Sequence, residues 1–549
     1  MNRELERKTK QLLDELKKVC ADHGLGNDGN EYKIITEVFL YKFINDKFFY
    51  ELRQLNPKFA NTPNIETELA KLTDKQYEEF IFDLKGSVAK LKPEQFLSNL
   101  FNSQSKPDFA KYVDDTLKAI AKENADIFSV GTAGGEKVRL FSGISQYVTE
   151  EGKRDGFCRS IINKLCECNF GEIFSEKYDF FAVIFEYLIK DYNKDGGGKY
   201  AEYYTPHAIA KIMSEILVDG DVQNVKCYDP SAGTGSLLMG LAHKIGEDNC
   251  SIYSQDISQK SSTLLRMNLI LNNLAHSLPH IVQGNTITEP YHLRHNETKK
   301  GFDYIVSNPP FKLDFSDWRD SVDATKQTVK EDGTENFNNR FFAGIPNVPK
   351  KDKEKMAIYL LFLQHAIASL NAKGKAAIVV PTGFLTEKNG IAPKIRKKLV
   401  DNNWLKGVVS MPSNIFANTN TSVSVVFIDK TNVDTVVLIN ASKLGIEVAG
   451  EKKKTVLRPN EEHQIIEVFK NKTPIDDFSV VLTKDQIKEK KYKISAGPYF
   501  DIKVEYVDIT AEDFQKKLLE SENKLKVFFK ESNELENKIF NVLKRLKYE

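Results

Sequence analysis

The sequence predicts an α/β protein: a doubly wound, mostly parallel sheet, preceded by an all-α N-terminal domain and followed by a long C-terminal helix. Three observations predict it. From about residue 205 to 440, short β-rich runs alternate with amphipathic stretches, the pattern of a parallel sheet with helices on both faces. Residues 1 to about 190 carry apolar residues at three- and four-residue spacing, with no convincing strand. Beyond residue 510 the same two steps alternate to the end of the chain.

Taken in order, helical spacing is clearest over 35–52, 93–101 and 177–192. The stretch 193–206, NKDGGGKYAEYYTP, joins three consecutive glycines to a proline and reads as a linker or ligand-touching loop. A helix over 206–219 leads to the strand VKCYD (225–229), a helix over 235–247, the strand SIYSQD (251–256) and a helix over 258–274. Strands follow near 280–284 and at 302–307. A long helix (355–371) precedes the strand AAIVVP (376–381), and a helix over 391–403 leads to KGVVSM (406–411). VSVVFID (423–429) and TVVLIN (435–440) are expected to pair as a hairpin at one edge. In the tail, Thr510 is a good N-cap, Asp513 is placed to complete a capping box, and Ile509 and Phe514 to form a staple. Positions 514, 518, 521, 525, 528, 532, 535, 539, 542 and 546 make a heptad seam, apolar except at Ser521 and Ser532, expected to pair with another chain.

A chain of 549 residues is too long for one core, and these boundaries divide it into 1–192, 193–480 and 481–549. Hydrophobic content of 41% and charged content of 28% are ordinary for a soluble globular protein. No apolar run reaches membrane-spanning length, and the N-terminus MNRELERKTKQLLDELKK is charged, so a cytoplasmic location is expected. Six cysteines make no disulfide framework; Cys158, Cys166 and Cys168 lack a second pair at zinc-site spacing and read as buried thiols, with no metal expected. The 78 basic and 77 acidic residues leave a net charge of +1. Nucleic-acid binders often show a basic excess, so either DNA is not the substrate or a partner carries much of the phosphate contact.

Chemistry concentrates in three places. Asp229-Pro-Ser-Ala-Gly-Thr-Gly-Ser236 follows the first strand of the alternating region, and its glycines permit a tight turn before a helix N-terminus. Position 238 is leucine rather than the third glycine of a dinucleotide fingerprint, and no GxxxxGK[ST] occurs, so phosphate cradling is disfavoured. Asp256 ends the next strand, where an acid can accept both hydroxyls of a ribose. A nucleoside is therefore the expected ligand. In FDYIVSNPPFKLDF (302–315), two prolines hold Asn308 extended at a strand tip, the geometry for aiming one polar group. Its amide oxygen and a backbone carbonyl can accept both protons of an exocyclic amine, while Phe311 offers a face for a base, a contact worth roughly 1–3 kcal/mol. Asn308 is not basic, so it would act by orientation and electrostatics.

Asn308-Pro309-Pro310-Phe311 after an apolar strand, preceded by Asp229-Pro-x-Ala-Gly-x-Gly, resembles the amino-group DNA methyltransferases. Tyr203-Tyr204-Thr205-Pro206 just before the first strand narrows the resemblance to the modification (M) subunit of type I restriction–modification systems. It extends through 364–381 and 408–430 into the tail helix, covering most of the chain from about 195. The resemblance implies transfer of a methyl group from S-adenosylmethionine to N6 of adenine in DNA, protecting host DNA from restriction. It implies a methyltransferase sheet over 193–480, and Asn308, Pro309, Pro310 and Phe311 as catalytic residues. Glu202, Tyr203, Tyr204, Thr205, Pro206 and His207 would meet the methionine end of the cofactor. Asp229, Ser231, Ala232, Gly233 and Gly235 would line it, and Asp256 would hold the ribose. Asn285 stands where the family has an aspartate that contacts the cofactor's adenine. The implied partners are double-stranded DNA with a flipped adenine, a specificity (S) subunit gripped by 481–549, a second M subunit and a restriction (R) subunit. The polar stretch 312–355 reads as a long functional loop, with Lys350, Lys351, Lys353 and Lys355 as candidate phosphate contacts. A methyltransferase acting on RNA or protein glutamine, and a non-catalytic scaffold of the same fold, remain the alternatives.

Overall fold

The computed structural model describes residues 3–544 apart from 27–29, 56, 61, 63, 70, 85–87, 133–136, 172–173, 175–186, 188–204, 295–300, 323–336, 417–420, 434, 449–453 and 501–509. The expected helix over 177–192, the glycine-rich stretch and Glu202, Tyr203 and Tyr204 thus lie essentially outside the described residues. The chain forms two compact units, Met1–Tyr499 and Phe500–Glu549.

The first unit is built on an eleven-stranded sheet. Its strands in chain order are β1 (Val130–Thr132), β2 (Lys137–Val138), β3 (Val225–Asp229), β4 (Cys250–Asp256), β5 (Ile281–Gln283), β6 (Phe302–Ser307), β7 (Leu370–Pro381), β8 (Leu405–Ser410), β9 (Val423–Asp429) and β10 (Val436–Asn440), with a separate two-stranded ribbon of β11 (Ile446–Glu447) and β12 (Thr455–Val456), and finally β13 (Ser479–Leu482). Across the sheet the order is β13-β10-β8-β9-β7-β6-β3-β4-β5-β1-β2. Parallel pairing runs from β7 through β6, β3, β4 and β5 to β1. Strand β9 is antiparallel to both neighbours. Every residue of β9 is buried, as expected of a strand covered on both faces, where sequence reads as one apolar run rather than an alternation.

Four expectations need correction. The hairpin of 423–429 with 435–440 does not form: β8 lies between those strands, with Val409 beside Val425 on one side and beside Ile439 on the other. Fully apolar strands can pair with any other, and here long-range burial outweighs sequence proximity. Strand 376–381 begins earlier, at Leu370; Phe302 pairs with Leu370 and Tyr304 with Lys375, so the residues between the expected helix and strand form an irregularity within the strand. The N-terminal region, helical over Arg3–Asp22, Glu31–Leu55, Phe109–Glu123 and Glu151–Glu167, also contributes β1 and β2 to the sheet edge. Of the clustered cysteines Cys158 is buried, whereas Cys166 is exposed because it falls on the outer side of its helix. Among the described residues no helix is long and apolar enough to cross a membrane.

The stretch from Lys312 to Lys355 is polar in sequence yet partly packed. Phe315, Val322 and Phe341 are buried with Ile287, Met356, Ile358 and Leu361 in a small core of their own. Among its described residues the second unit is one helix, Ala511–Leu543. Thr510 caps it: its hydroxyl accepts from the Asp513 amide at 3.1 Å and donates to the Asp513 carboxylate at 2.8 Å. Phe514, Leu518, Leu525, Phe528, Leu535 and Ile539 are all more than half exposed along the predicted seam. Ile509 and position 546 lie outside the described residues.

Candidate active site

The order of the sheet reverses at β3. The chain builds outward through β4 and β5, then returns to add β6 on the other side of β3. Loops leaving the carboxyl ends of β3 and β6 therefore diverge, opening a crevice at the switch point where ligands bind in this architecture. A cavity of about 380 Å³ lies there, bounded by Asp229, Ser231 and Ala232 after β3, Asp256 and Ile257 after β4, Asn285 after β5, and Asn308 and Pro310 after β6.

Each loop is tied to its neighbours by hydrogen bonds. Asp229 Oδ1 accepts the Ser231 amide at 2.9 Å, and the hydroxyls of Ser231 and Ser307 lie 2.7 Å apart, linking β3 to β6. Asp256 accepts the Gly233 amide at 2.9 Å through one oxygen and the Ser258 amide at 2.8 Å through the other. The Thr286 hydroxyl donates to the Pro230 carbonyl at 2.7 Å. Asn285 Oδ1 accepts the amides of Ile287 and Thr288 at 3.0 and 3.2 Å, which fixes its amide nitrogen as the remaining polar group. Asn308 Nδ2 donates to Thr205 Oγ1 at 3.2 Å, which turns Oδ1 away from the threonine.

Burial pushes the Asp229 carboxyl up to about 7, with Asp256 adding like-charge repulsion against the pull of the Ser231 and Ser307 hydrogen bonds. Burial likewise raises Asp256, offset by the Ser258 and Gly233 amides. Among the described residues no group of three His, Cys, Asp or Glu side chains is placed to hold a metal ion.

The predicted residues divide into two sets. Thr205, Asp229, Ser231, Ala232, Asp256, Asn285, Asn308 and Pro310 meet in the cavity lining. Gly233 and Gly235 stand behind it: Gly233 donates to Asp256, and Gly235, at φ +84°, is in the left-handed region with Leu265 packed where a Cβ would project. The second glycine thus serves helix packing rather than ligand approach. Phe311 is half-buried against the main core, and Pro206 and His207 begin the helix His207–Leu217. The sequence reading missed much of the apolar lining, including Ile257, Phe315, Trp318, Ile358 and Phe362. Ile257 had a signal, since it directly follows the acid at a strand tip; in the structure it is 62% exposed. Arg340 was also missed; it is buried in the 312–355 segment and donates to the carbonyls of Thr286 and Ile287.

Comparisons with known proteins agree with this architecture. The methylase subunit of the type I restriction enzyme MpnII from Mycoplasma pneumoniae is 26% identical over 526 residues, covering 91% of this chain and 90% of its own. The MjaIX methylase subunit from Methanocaldococcus jannaschii is also 26% identical, over 99% of this chain and 91% of its own. The crystal structure of a type I restriction–modification methyltransferase subunit from Streptococcus thermophilus superimposes with a TM-score of 0.67 at 19% identity, over 90% of this chain and all of that one. The family model described as N-6 DNA methylase matches residues 176–506, more than half of the sequence, and the chain belongs to that family.

Proposed function

We propose that this protein transfers the methyl group of S-adenosylmethionine to N6 of adenine in double-stranded DNA, as the modification subunit of a type I restriction–modification assembly acting in the cytoplasm. The observation that carries the reading is the single cavity shared by Asn308, with its amide oriented by Thr205, and Asp256 at the tip of β4.

The residues present fit the cofactor. Each Asp256 oxygen accepts one backbone amide and keeps a further acceptor site, enough for the two hydroxyls of a ribose. Ile257, which follows Asp256, and Ile358 and Phe362 in the same cavity lining offer apolar surface for a purine. When bound, S-adenosylmethionine supplies an electrophilic methyl group on a positively charged sulfur that leaves as a neutral thioether, so no metal is required.

The protein's own residues supply position. The target adenine leaves the duplex stack, which costs a few kcal/mol. Asn308 Oδ1 accepts one proton of its N6 amine and the Pro309 carbonyl the other. This pair of bonds would pyramidalise the nitrogen and leave its lone pair free to act as the nucleophile. Thr205 prevents the Asn308 amide from rotating, so the acceptor is preset before the base arrives. The proton released from N6 passes to solvent.

The relatives' names as type I methylase subunits support partnership with a specificity subunit, a second modification subunit and a restriction subunit. The exposed apolar seam of Ala511–Leu543 supports that helix as the grip on the specificity subunit. Host DNA would thereby be protected from restriction. The test is incubation of the chain and its co-purifying partners with methyl-labelled S-adenosylmethionine and unmethylated duplex, followed by nucleoside analysis. N6-methyldeoxyadenosine is expected; label found only in RNA or in protein glutamine would contradict the reading.

A further inference from the structure

The whole chain is almost neutral, at +1, so any attraction for a polyanion must come from local clustering. Segments 384–401 and 483–494 hold ten lysines and arginines against four acids. The fold joins them into one face. Arg396, 1% exposed, donates to the carbonyls of Phe384, Glu387 and Tyr492, and the Ile494 amide donates to the Leu385 carbonyl at 3.1 Å. Lys397 and Lys488 are paired with Asp401 and Asp485. Lys388, Lys394, Lys490 and Lys491 are exposed and make no ion pair among the described residues.

One further observation sets this face apart from an ordinary solvated surface: it borders the active site. Strands β6 and β7 are parallel, with Ser307 beside Ile378, so Asn308 and Thr382 leave the sheet at the same edge. Phe384 meets Tyr359 edge-on at 6.2 Å, and the helix beginning at Tyr359 carries the cavity residue Phe362.

We propose that this lysine face binds the sugar–phosphate backbone of the duplex beside the target adenine. The inference rests on the reading of DNA as substrate and adds where this nearly neutral chain makes its own phosphate contacts. Backbone binding of this kind releases condensed counterions, so log K falls with log salt by about 0.9 per phosphate contacted.

The test compares the full-length protein with a variant carrying Lys388→Gln, Lys394→Gln, Lys490→Gln and Lys491→Gln, and with a control bearing Lys75→Gln, Lys111→Gln, Lys118→Gln and Lys122→Gln on the N-terminal helices. Binding to a labelled 30-base-pair duplex is measured between about 50 and 200 mM NaCl, alongside the thermal midpoint of each protein. The expected result is a salt slope shallower by roughly 2 to 4 and affinity at least about tenfold weaker in the first variant only, with unchanged thermal midpoints. Wild-type slope and affinity in the first variant, or equal losses in the control, would overturn the proposal. If the first variant binds duplex like wild type while the wild-type protein still methylates DNA, the lysine face is wrong and the substrate reading stands. If wild type neither binds nor methylates duplex, the substrate reading fails and the lysine face with it.

Discussion

The side-chain nitrogen of Asn308 donates a hydrogen bond to the hydroxyl of Thr205, 3.2 Å away and 103 residues earlier in the chain. The donor half of the amide is thereby committed to the protein, leaving the oxygen to meet a substrate amine. Removing the threonine hydroxyl frees the amide to rotate and forfeits a bond worth roughly 0.5–1.5 kcal/mol. Thr205→Ala is expected to lower kcat by about 2- to 10-fold while the dissociation constant of S-adenosylhomocysteine changes little. Thr205→Ser should restore most of the rate. Single-turnover methylation of an unmethylated duplex checks both.

Asp229 predicts a pH dependence. Burial holds its carboxyl near 7, so it is mostly neutral at pH 6 and mostly ionised at pH 8. The ionised form attracts a sulfonium and has no such effect on a thioether. Affinity for S-adenosylmethionine should therefore rise about tenfold between pH 6 and 8, and affinity for S-adenosylhomocysteine should rise much less. Trp318 lines the same cavity, so its fluorescence can report both titrations once Trp404 is replaced by phenylalanine. Equal pH profiles for the two ligands would contradict the assignment, and Asp229→Asn should flatten the difference.

Asn285 holds the turn after β5 through the amides of Ile287 and Thr288. Asn285→Asp keeps an acceptor for both amides, whereas Asn285→Ala leaves both without one, at a cost of about 1–3 kcal/mol. The alanine variant should unfold at a lower denaturant midpoint and bind S-adenosylhomocysteine more weakly. The aspartate variant should match wild type in the unfolding measurement.

A side chain at Gly235 is predicted to be destabilising. A Cβ there would run into Leu265 and would sit on a left-handed backbone. Gly235→Ala should cost roughly 1–3 kcal/mol in chemical denaturation. A second change, Leu265→Ala, should recover part of the loss by vacating the space, which distinguishes collision from backbone strain alone.

Much of this was legible in the sequence because the decisive features are local. VKCYD, FDYIVS and VSVVFID form strands at 225–229, 302–307 and 423–429, as their apolar runs and flanking turn residues indicate. The acid at a strand tip and the rigid Asn-Pro-Pro are local too, and the fold brings Asp256 and Asn308 to one cavity. What the sequence could not convey is which strand lies beside which. Strands β8, β9 and β10 are similarly apolar, so nothing in them marks β8 as the neighbour of both others. The bond between Thr205 and Asn308, and the presence of Trp318 and Phe362 with Ile257 in one cavity lining, likewise depend on segments far apart in the chain. Arg340 sits in a polar stretch with no periodicity, and its partners are backbone carbonyls, which leave no trace in residue type.

The most direct test of the central claim is base-resolved mapping of N6-methyladenine in host DNA, comparing the intact gene with Asn308→Ala. Working in the host keeps any specificity partner present. The account predicts that one bipartite sequence motif, methylated with the intact gene, loses its methylation in the variant while other methylated motifs persist. Identical maps from the two strains, with the variant protein present at wild-type level, would contradict it.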